Sequence, residues 1–202
     1  MIYPKVVGFV PAYKSEHFIH KTLEALAQQT YPNFEIWICD DASPDGTAEV
    51  CKEFCRKDSR FKFFQNESNL GWWKTWIRMW AICAEASTYS FFHPHDDLPF
   101  PDFIATQVEL LEKNPQAVLC VPGIKNSYTN RKSESLLLTG FCSAEKASDR
   151  INQLGSWEAP GWWAAVHGVH RSALIPNVNP VPYLRFGEKE FALDLIWLIR
   201  LA

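Results

Sequence analysis

A three-layer α/β fold with a mostly parallel central sheet is predicted by three features of this chain. Short apolar runs alternate with stretches at helical spacing from Val6 to Val121. Two of those runs end in adjacent acids, Asp40-Asp41 and Asp96-Asp97, and open α/β sheets bind ligands at the carboxyl ends of their strands. At 202 residues the chain suits one domain with an ample core.

The elements follow in order. Val6 to Val10 reads as a first buried strand, ended by Pro11, which cannot donate to a ladder. Ser15 is placed to cap a helix over 16–29, whose Phe18, Ile19, Leu23, Leu26 and Ala27 share one face. Tyr31-Pro32-Asn33 turns the chain into a second strand, Phe34 to Cys39. The turn-rich stretch 41–47 opens a second helix with Val50, Phe54 and Cys55 facing inward. Phe61 to Phe64 is a third strand, 66–71 a loop, and 72–86 a helix carrying Trp73, Trp76, Trp80 and Cys83 at helical spacing. Tyr89 to Phe92 is the strand that delivers Asp96-Asp97. Pro101 suits the first turn of a helix running to about Lys113, and Ala117 to Val121 is a further strand. From Pro122 to Pro160 the periodicity fades, which predicts loops. The Pro-rich stretch 178–187 reads as loop, and 191–202 as an amphipathic helix with no stop signal after it. The chain is therefore expected to continue beyond residue 202.

Composition excludes several classes. A hydrophobic share of 47% argues against disorder, and a net charge of −3 gives no electrostatic case for nucleic acid. The six cysteines form no CxxC pair, which predicts reduced core thiols in a cytoplasmic protein. The N-terminus carries no signal-peptide pattern, and no uncharged apolar run is long enough to span a bilayer.

Adjacent carboxylates at a strand end repel each other unless a cation neutralises them. A hard divalent ion, Mg²⁺ or Mn²⁺, is the natural partner because it prefers oxygen ligands. A lone Asp-Asp pair is more often a solvated turn; two such pairs at two strand ends point to a nucleotide–metal site.

Five spaced motifs occur in order: Val10-Pro11-Ala12-Tyr13, then Gln29 to Ile36, then Asp40 to Thr47, then Asn69-Leu70-Gly71, then His95-Asp96-Asp97. Together they cover nearly all of 4–112, and in this the chain resembles the family 2 glycosyltransferases. The resemblance implies the GT-A fold, a Rossmann-like three-layer sandwich. It also implies a nucleotide-diphosphate sugar donor, a divalent metal and inversion at the anomeric carbon. On the same terms, residues 1–202 form a single domain, with 1–121 as the nucleotide-sugar half and 122–202 as the acceptor half.

Carried over position by position, the resemblance puts Pro11 and Tyr13 against the nucleotide base, with Glu16 nearby. Asp41 would accept a hydrogen bond from the base, which favours uracil or another base with a ring N–H. Asp96 would touch the ribose, and Asp97 would hold the metal on the diphosphate. Asp40 is expected to hold its own loop. Trp72 and Trp73 stand where the family has smaller residues, and either narrow the pocket or pack.

Transfer to a hydroxyl needs a base. The family places it as the Asp of a Glu-Asp pair opening a late helix, followed by a short stretch ending in Arg-Leu. Asp194 fits that frame through Arg200-Leu201, although Leu193 replaces the Glu. Its apolar surroundings would raise its pKa and suit a proton acceptor. Glu188 and Glu190 remain alternatives. Trp162, Trp163 and His167 fall in the region that shapes the acceptor and donor-sugar pocket in the family, though a histidine is more often structural. The processive Gln-x-x-Arg-Trp motif is absent through residue 202.

The expected activity is transfer from a UDP-sugar to a hydroxyl of a glycan or lipid-linked acceptor. It would take place in the cytoplasm, with membrane association through the acceptor or a further C-terminal part. A sugar nucleotidyltransferase is the rival enzyme, but the stretch after the first strand, Pro11 to Ser15, lacks the glycines that would cradle a triphosphate. A catalytically silent nucleotide- or glycan-binding module is the rival from another class.

Overall fold

The computed structural model describes residues 2–127, 130, 132–136, 144–155, 162–178, 185–186, 189–190 and 198. Strands β1 (Val6–Ala12), β2 (Phe34–Asp40), β3 (Phe61–Gln65) and β4 (Tyr89–Phe92) alternate with helices α1 (Ile19–Ala27), α2 (Thr47–Lys57) and α3 (Trp72–Ala86). Then follow α4 (Phe103–Lys113), β5 (Leu119–Cys120), β6 (Ile124–Asn126), β7 (Glu134–Leu136) and α5 (Ala147–Gly155). A 3-10 helix (Trp162–His167) leads to β8 (Val169–Arg171), a second 3-10 turn (Ser172–Leu174), α6 (Ile175–Val178), β9 (Arg185–Phe186) and β10 (Lys189–Glu190).

The main sheet has the order β3-β2-β1-β4-β8-β5. Its first four strands are parallel, and β8 runs antiparallel between β4 and β5. The chain therefore steps outward from β1 to β3, then returns to the other side of β1 with β4. That reversal opens a crevice beyond the carboxyl ends of β1 and β4. The predicted mostly parallel three-layer GT-A architecture is what the structure has.

Both faces of the sheet are covered. Val6, Val10 and Ala12 of β1 pack with Ile19, Leu23 and Leu26 of α1, Cys51 of α2, and Ile104, Val108 and Leu111 of α4. Val7 and Phe9 point the other way, into Trp73, Trp76, Met79, Trp80 and Cys83 of α3. A strand buried on both faces reads as a continuous apolar run, as Val6 to Val10 does. Gly8 lies level with Phe91, and a Cβ there would come within 2.2 Å of the Phe91 ring. The missing side chain lets that ring lie across β1.

Several boundaries differ from expectation. Pro11 does not end β1; it pairs in register with Cys39, and the strand runs on to Ala12. The Phe9 carbonyl accepts from His93 on the β4 side, and the Ala12 carbonyl from Asp41 on the β2 side. By alternation, Pro11 turns its missing N–H toward the side that β4 has already left, so no ladder bond is lost. Ser15 is not a side-chain cap. Its carbonyl accepts from the N–H groups of Phe18 and Ile19, its N–H donates to Thr47 Oγ1 at 2.7 Å, and α1 starts only at Ile19. Pro101 precedes α4 by two residues and instead offers its carbonyl to Thr30. The stretch expected to be loop between 122 and 160 contains the β6–β7 hairpin and α5. The helix expected over 191–202 lies outside the described residues, apart from Leu198, which is helical and buried in the α3 core. Among the described residues no helix is long and apolar enough to cross a membrane. Cys39, Cys51, Cys55, Cys83 and Cys120 are free thiols, and Cys142 is outside the described set.

Candidate functional site: a cleft at the carboxyl edge of the sheet

The crevice at the strand reversal is a cleft of about 380 Å³. Pro11, Ala12 and Tyr13 enter it from the end of β1, and Asp41 from the end of β2. Asn69, Gly71, Trp72 and Thr75 come from the start of α3, and Phe92, Pro94, His95 and Asp96 from the end of β4. Most of its lining is apolar, with few polar groups, which suits a flat organic ring with a polar edge.

Asp41 is buried and organises one wall. Its Oδ1 accepts from Asn66 Nδ2 at 2.6 Å, the Leu70 N–H at 2.9 Å and Thr75 Oγ1 at 2.9 Å. Its Oδ2 accepts only from the Gly71 N–H, at 2.9 Å. A carboxylate has about four acceptor sites, so Oδ2 keeps capacity for one more donor. Gly71 takes φ 82° to present that N–H, a conformation glycine adopts without strain. Two non-glycines, Lys14 (φ 52°) and Ala42 (φ 54°), also hold left-handed backbone directly after Tyr13 and Asp41. Left-handed non-glycine residues tend to gather at functional sites. Asp40, by contrast, points away from the cleft. It accepts from the Ser43 N–H at 3.2 Å and Gln65 Nε2 at 2.9 Å, so it holds its loop as expected.

Pro11, Tyr13, Asp41 and Asp96 are thus brought together. Glu16 does not line the cleft; its Oε2 accepts from the Gly46 N–H and fastens the loop after Asp41. Asp97 follows Asp96, is exposed, and is not among the residues that line the cleft. Crowding by surrounding protein, with the Asp96 charge next, holds its carboxyl above the usual range, partly offset by His95. Two adjacent carboxylates suit a hard cation, which relieves their mutual repulsion. Among the described residues no three His, Cys, Asp or Glu converge as a ready-made metal cage. An ion that shares phosphate oxygens and keeps its waters needs only one or two carboxylates, so Asp96 and Asp97 fit it.

His167 packs on Phe92 with ring centroids 5.3 Å apart. Burial pulls its pKa down to about 4 against the opposing charge of Asp96, so it reaches this edge as a neutral ring. His93 is buried and drawn down to about 4 by desolvation. His170 is drawn down to about 3 and bonds the Gly168 carbonyl through Nδ1, a structural role. The 3-10 helix places Trp162 and Trp163 by backbone alone, and their side chains lie outside the described residues. Asp194 and Glu188 also lie outside them, and Glu190 is placed only by the backbone of β10.

Sequence reading missed Thr75 as a ligand of Asp41. Its signal was a polar residue on the helix face that also carries Trp76 and Met79. Trp72 and Trp73 separate cleanly: Trp73 is buried, whereas Trp72 is 49% exposed and lines the cleft.

The family model described as glycosyl transferase family 2 matches residues 9–175. Over 105 residues, 52% of the chain, 31% of positions are identical to UDP-Glc:alpha-D-GlcNAc-diphosphoundecaprenol beta-1,3-glucosyltransferase WfgD of Escherichia coli, covering 40% of that protein. The fold is similar to S. aureus TarS 1-349 in complex with UDP-GlcNAc, with TM-score 0.69, 19% identity, 98% of this chain and 53% of that one covered. It is also similar to the mannosyltransferase PcManGT from Pyrobaculum calidifontis in complex with GDP-Man and Mn2+, with TM-score 0.59, 17% identity, 90% of this chain and 48% of that one covered. The chain spans half or less of the length of the curated relatives it matches.

Proposed function

This chain belongs to glycosyl transferase family 2, and on that premise we propose that it is a metal-dependent, inverting glycosyltransferase. Its donor is a nucleotide-diphosphate sugar, with UDP as the nucleotide, and its acceptor is a hydroxyl of a glycan or lipid-linked sugar. The observation that carries this reading is the shared cleft of Asp41 and Asp96 at the ends of two strands flanking β1.

Tyr13 offers a π-face and Pro11 an apolar wall to the base. Asp41 accepts the base N–H through Oδ2, whose spare capacity favours a uracil-type edge. Asp96 takes the ribose hydroxyls. Asp97, with Asp96 beside it, would hold Mn²⁺ or Mg²⁺. Bound there, such an ion supplies Lewis-acid stabilisation to the departing diphosphate. Support for the donor and the ion comes from similar folds solved with UDP-GlcNAc and with GDP-Man and Mn2+. Support for a lipid-linked acceptor comes from the acceptor in the name of WfgD. Asp194 accepts the acceptor hydroxyl proton as the new bond forms on the face opposite the leaving group. Trp162, Trp163 and His167 shape the sugar pocket. The active chain faces the cytoplasm, at the inner surface of a membrane when its acceptor is lipid-linked.

Hydrolysis of a panel of UDP-sugars, with and without Mn²⁺, tests the reading. Turnover is expected for at least one donor, and Asp97→Ala should reduce it at least a hundred-fold while the thermal midpoint holds. Full turnover in that variant would remove the metal role, and nucleotide binding without any turnover would favour a silent module.

A further inference from the structure

We propose that Trp72 is a second stacking platform for the nucleobase, which fixes how tightly the chain holds any nucleotide. The inference deepens the proposed function and rests on its placing of a nucleotide in this cleft.

A large aromatic ring is normally withdrawn from water. In α3 the rings of Trp73, Trp76 and Trp80 are all buried, at 1%, 0% and 0% exposure. Trp72, in the first turn of the same helix, is 49% exposed and lines the cleft. Its position is not that of a loose surface side chain. It is edge-packed on Trp73 at 5.4 Å and on Trp76 at 6.1 Å, and those two are stacked on each other at 4.8 Å. One side of the indole is therefore backed by a rigid aromatic pile.

The backbone under Trp72 is fixed by the group that reads the base. The Gly71 N–H donates to Asp41 Oδ2, and Thr75, one turn on, donates to Asp41 Oδ1. A base bonded to Asp41 Oδ2 would lie beside the peptide that carries Trp72. Tyr13 lines the same cleft from the end of β1, with the Lys14 ammonium 5.3 Å from its ring centroid. Tyr13 and Trp72 thus reach the cleft from two different elements, beside one carboxylate oxygen with capacity to spare, while Phe92 lines it from the end of β4. Stacking on an aromatic face tolerates any base, because every base has a π-face. Asp41 would then select the base, while Trp72 would set affinity without selecting.

The test is calorimetry of the intact chain with UDP, UMP and GDP in Mn²⁺, beside tryptophan emission during the same titrations. Trp72→Ala should weaken all three nucleotides by about ten-fold or more, and Trp72→Phe should recover most of the loss. The wild-type emission change should vanish in Trp72→Phe, a signal that a purely structural role would not remove. Unchanged UDP and UMP affinity in folded Trp72→Ala would overturn the inference. So would a loss seen for UDP and GDP but not for UMP, which would move Trp72 to the diphosphate. Failure of the wild type to bind any nucleotide would overturn the parent reading as well, and is distinguished by the wild-type titration alone.

Discussion

Asp41 accepts from four donors of the protein; its removal would leave the Leu70 N–H and the Thr75 hydroxyl without that acceptor, while Asn66 Nδ2 keeps Thr75 Oγ1 and the Gly71 N–H keeps Asn69 Oδ1. Buried donors left unpaired cost about 1–3 kcal/mol each, less whatever water recovers. Asp41→Ala should therefore lower stability by about 3 kcal/mol, read as a drop in the denaturant midpoint, in addition to weakening nucleotide binding. A change confined to nucleotide affinity would show that the loop from Asn66 to Gly71 stands without it. The different placements of the two acids in this pair were legible in the sequence through the family resemblance, which sets the second acid of the pair toward the ligand and leaves the first to the loop. Asp40 went to its loop and Asp41 to the cleft. The fourfold bonding of Asp41 was not legible, since it depends on Asn66 and Thr75, which lie 25 and 34 residues away. Gly8→Ala is the sharpest steric test at this scale. A Cβ 2.2 Å from the Phe91 ring must displace it, at about 1–3 kcal/mol, measured by thermal unfolding.

Helix α3 ties the core to the site. Its inner face supplies the tryptophans that cover β1 and β4, and its first turn supplies Trp72 and Thr75. Trp80 is buried against Phe9 and His170. Trp80→Ala should cost about 3–5 kcal/mol in chemical denaturation, while a loss below 1 kcal/mol would mean the core closes over the gap. The bounds of α3 agree with the sequence reading because its apolar face recurs over four turns and a glycine precedes it. The β6–β7 hairpin escaped the same reading for the opposite reason. Its strands have three residues each, and the described residues among them are at most half-buried, so they carry no apolar alternation to detect. Pro11 misled because its effect depends on which neighbour the strand still has, and only the register of β4 reveals that.

For the molecule as a whole, acid is the informative stress. An unfolded histidine gains its proton near pH 6.5, whereas His93 and His167 hold theirs off until about 4 and His170 until about 3. Between those limits the unfolded chain binds more protons. Stability is therefore complete above about pH 6.5 and falls as pH drops toward 4, by up to about 1.4 kcal/mol per pH unit for each histidine. Denaturant midpoints at pH 7 and pH 5 should show that fall, and equal midpoints would mean the three rings are not buried neutral. The architecture that holds these rings also makes the cleft, since β4 carries His93 toward Asp96 and the segment before β8 carries His167 to the same edge. The central claim is that this edge grips a nucleoside diphosphate through Asp41 at the base and through an ion on Asp97. Calorimetric titration of UDP, with and without Mn²⁺, into the wild type and Asp97→Ala tests it most directly. The wild type should bind UDP at least ten-fold more tightly with Mn²⁺, and Asp97→Ala should lose that gain while keeping its metal-free affinity. No binding of UDP by the wild type, or an undiminished Mn²⁺ effect in Asp97→Ala, would contradict the account.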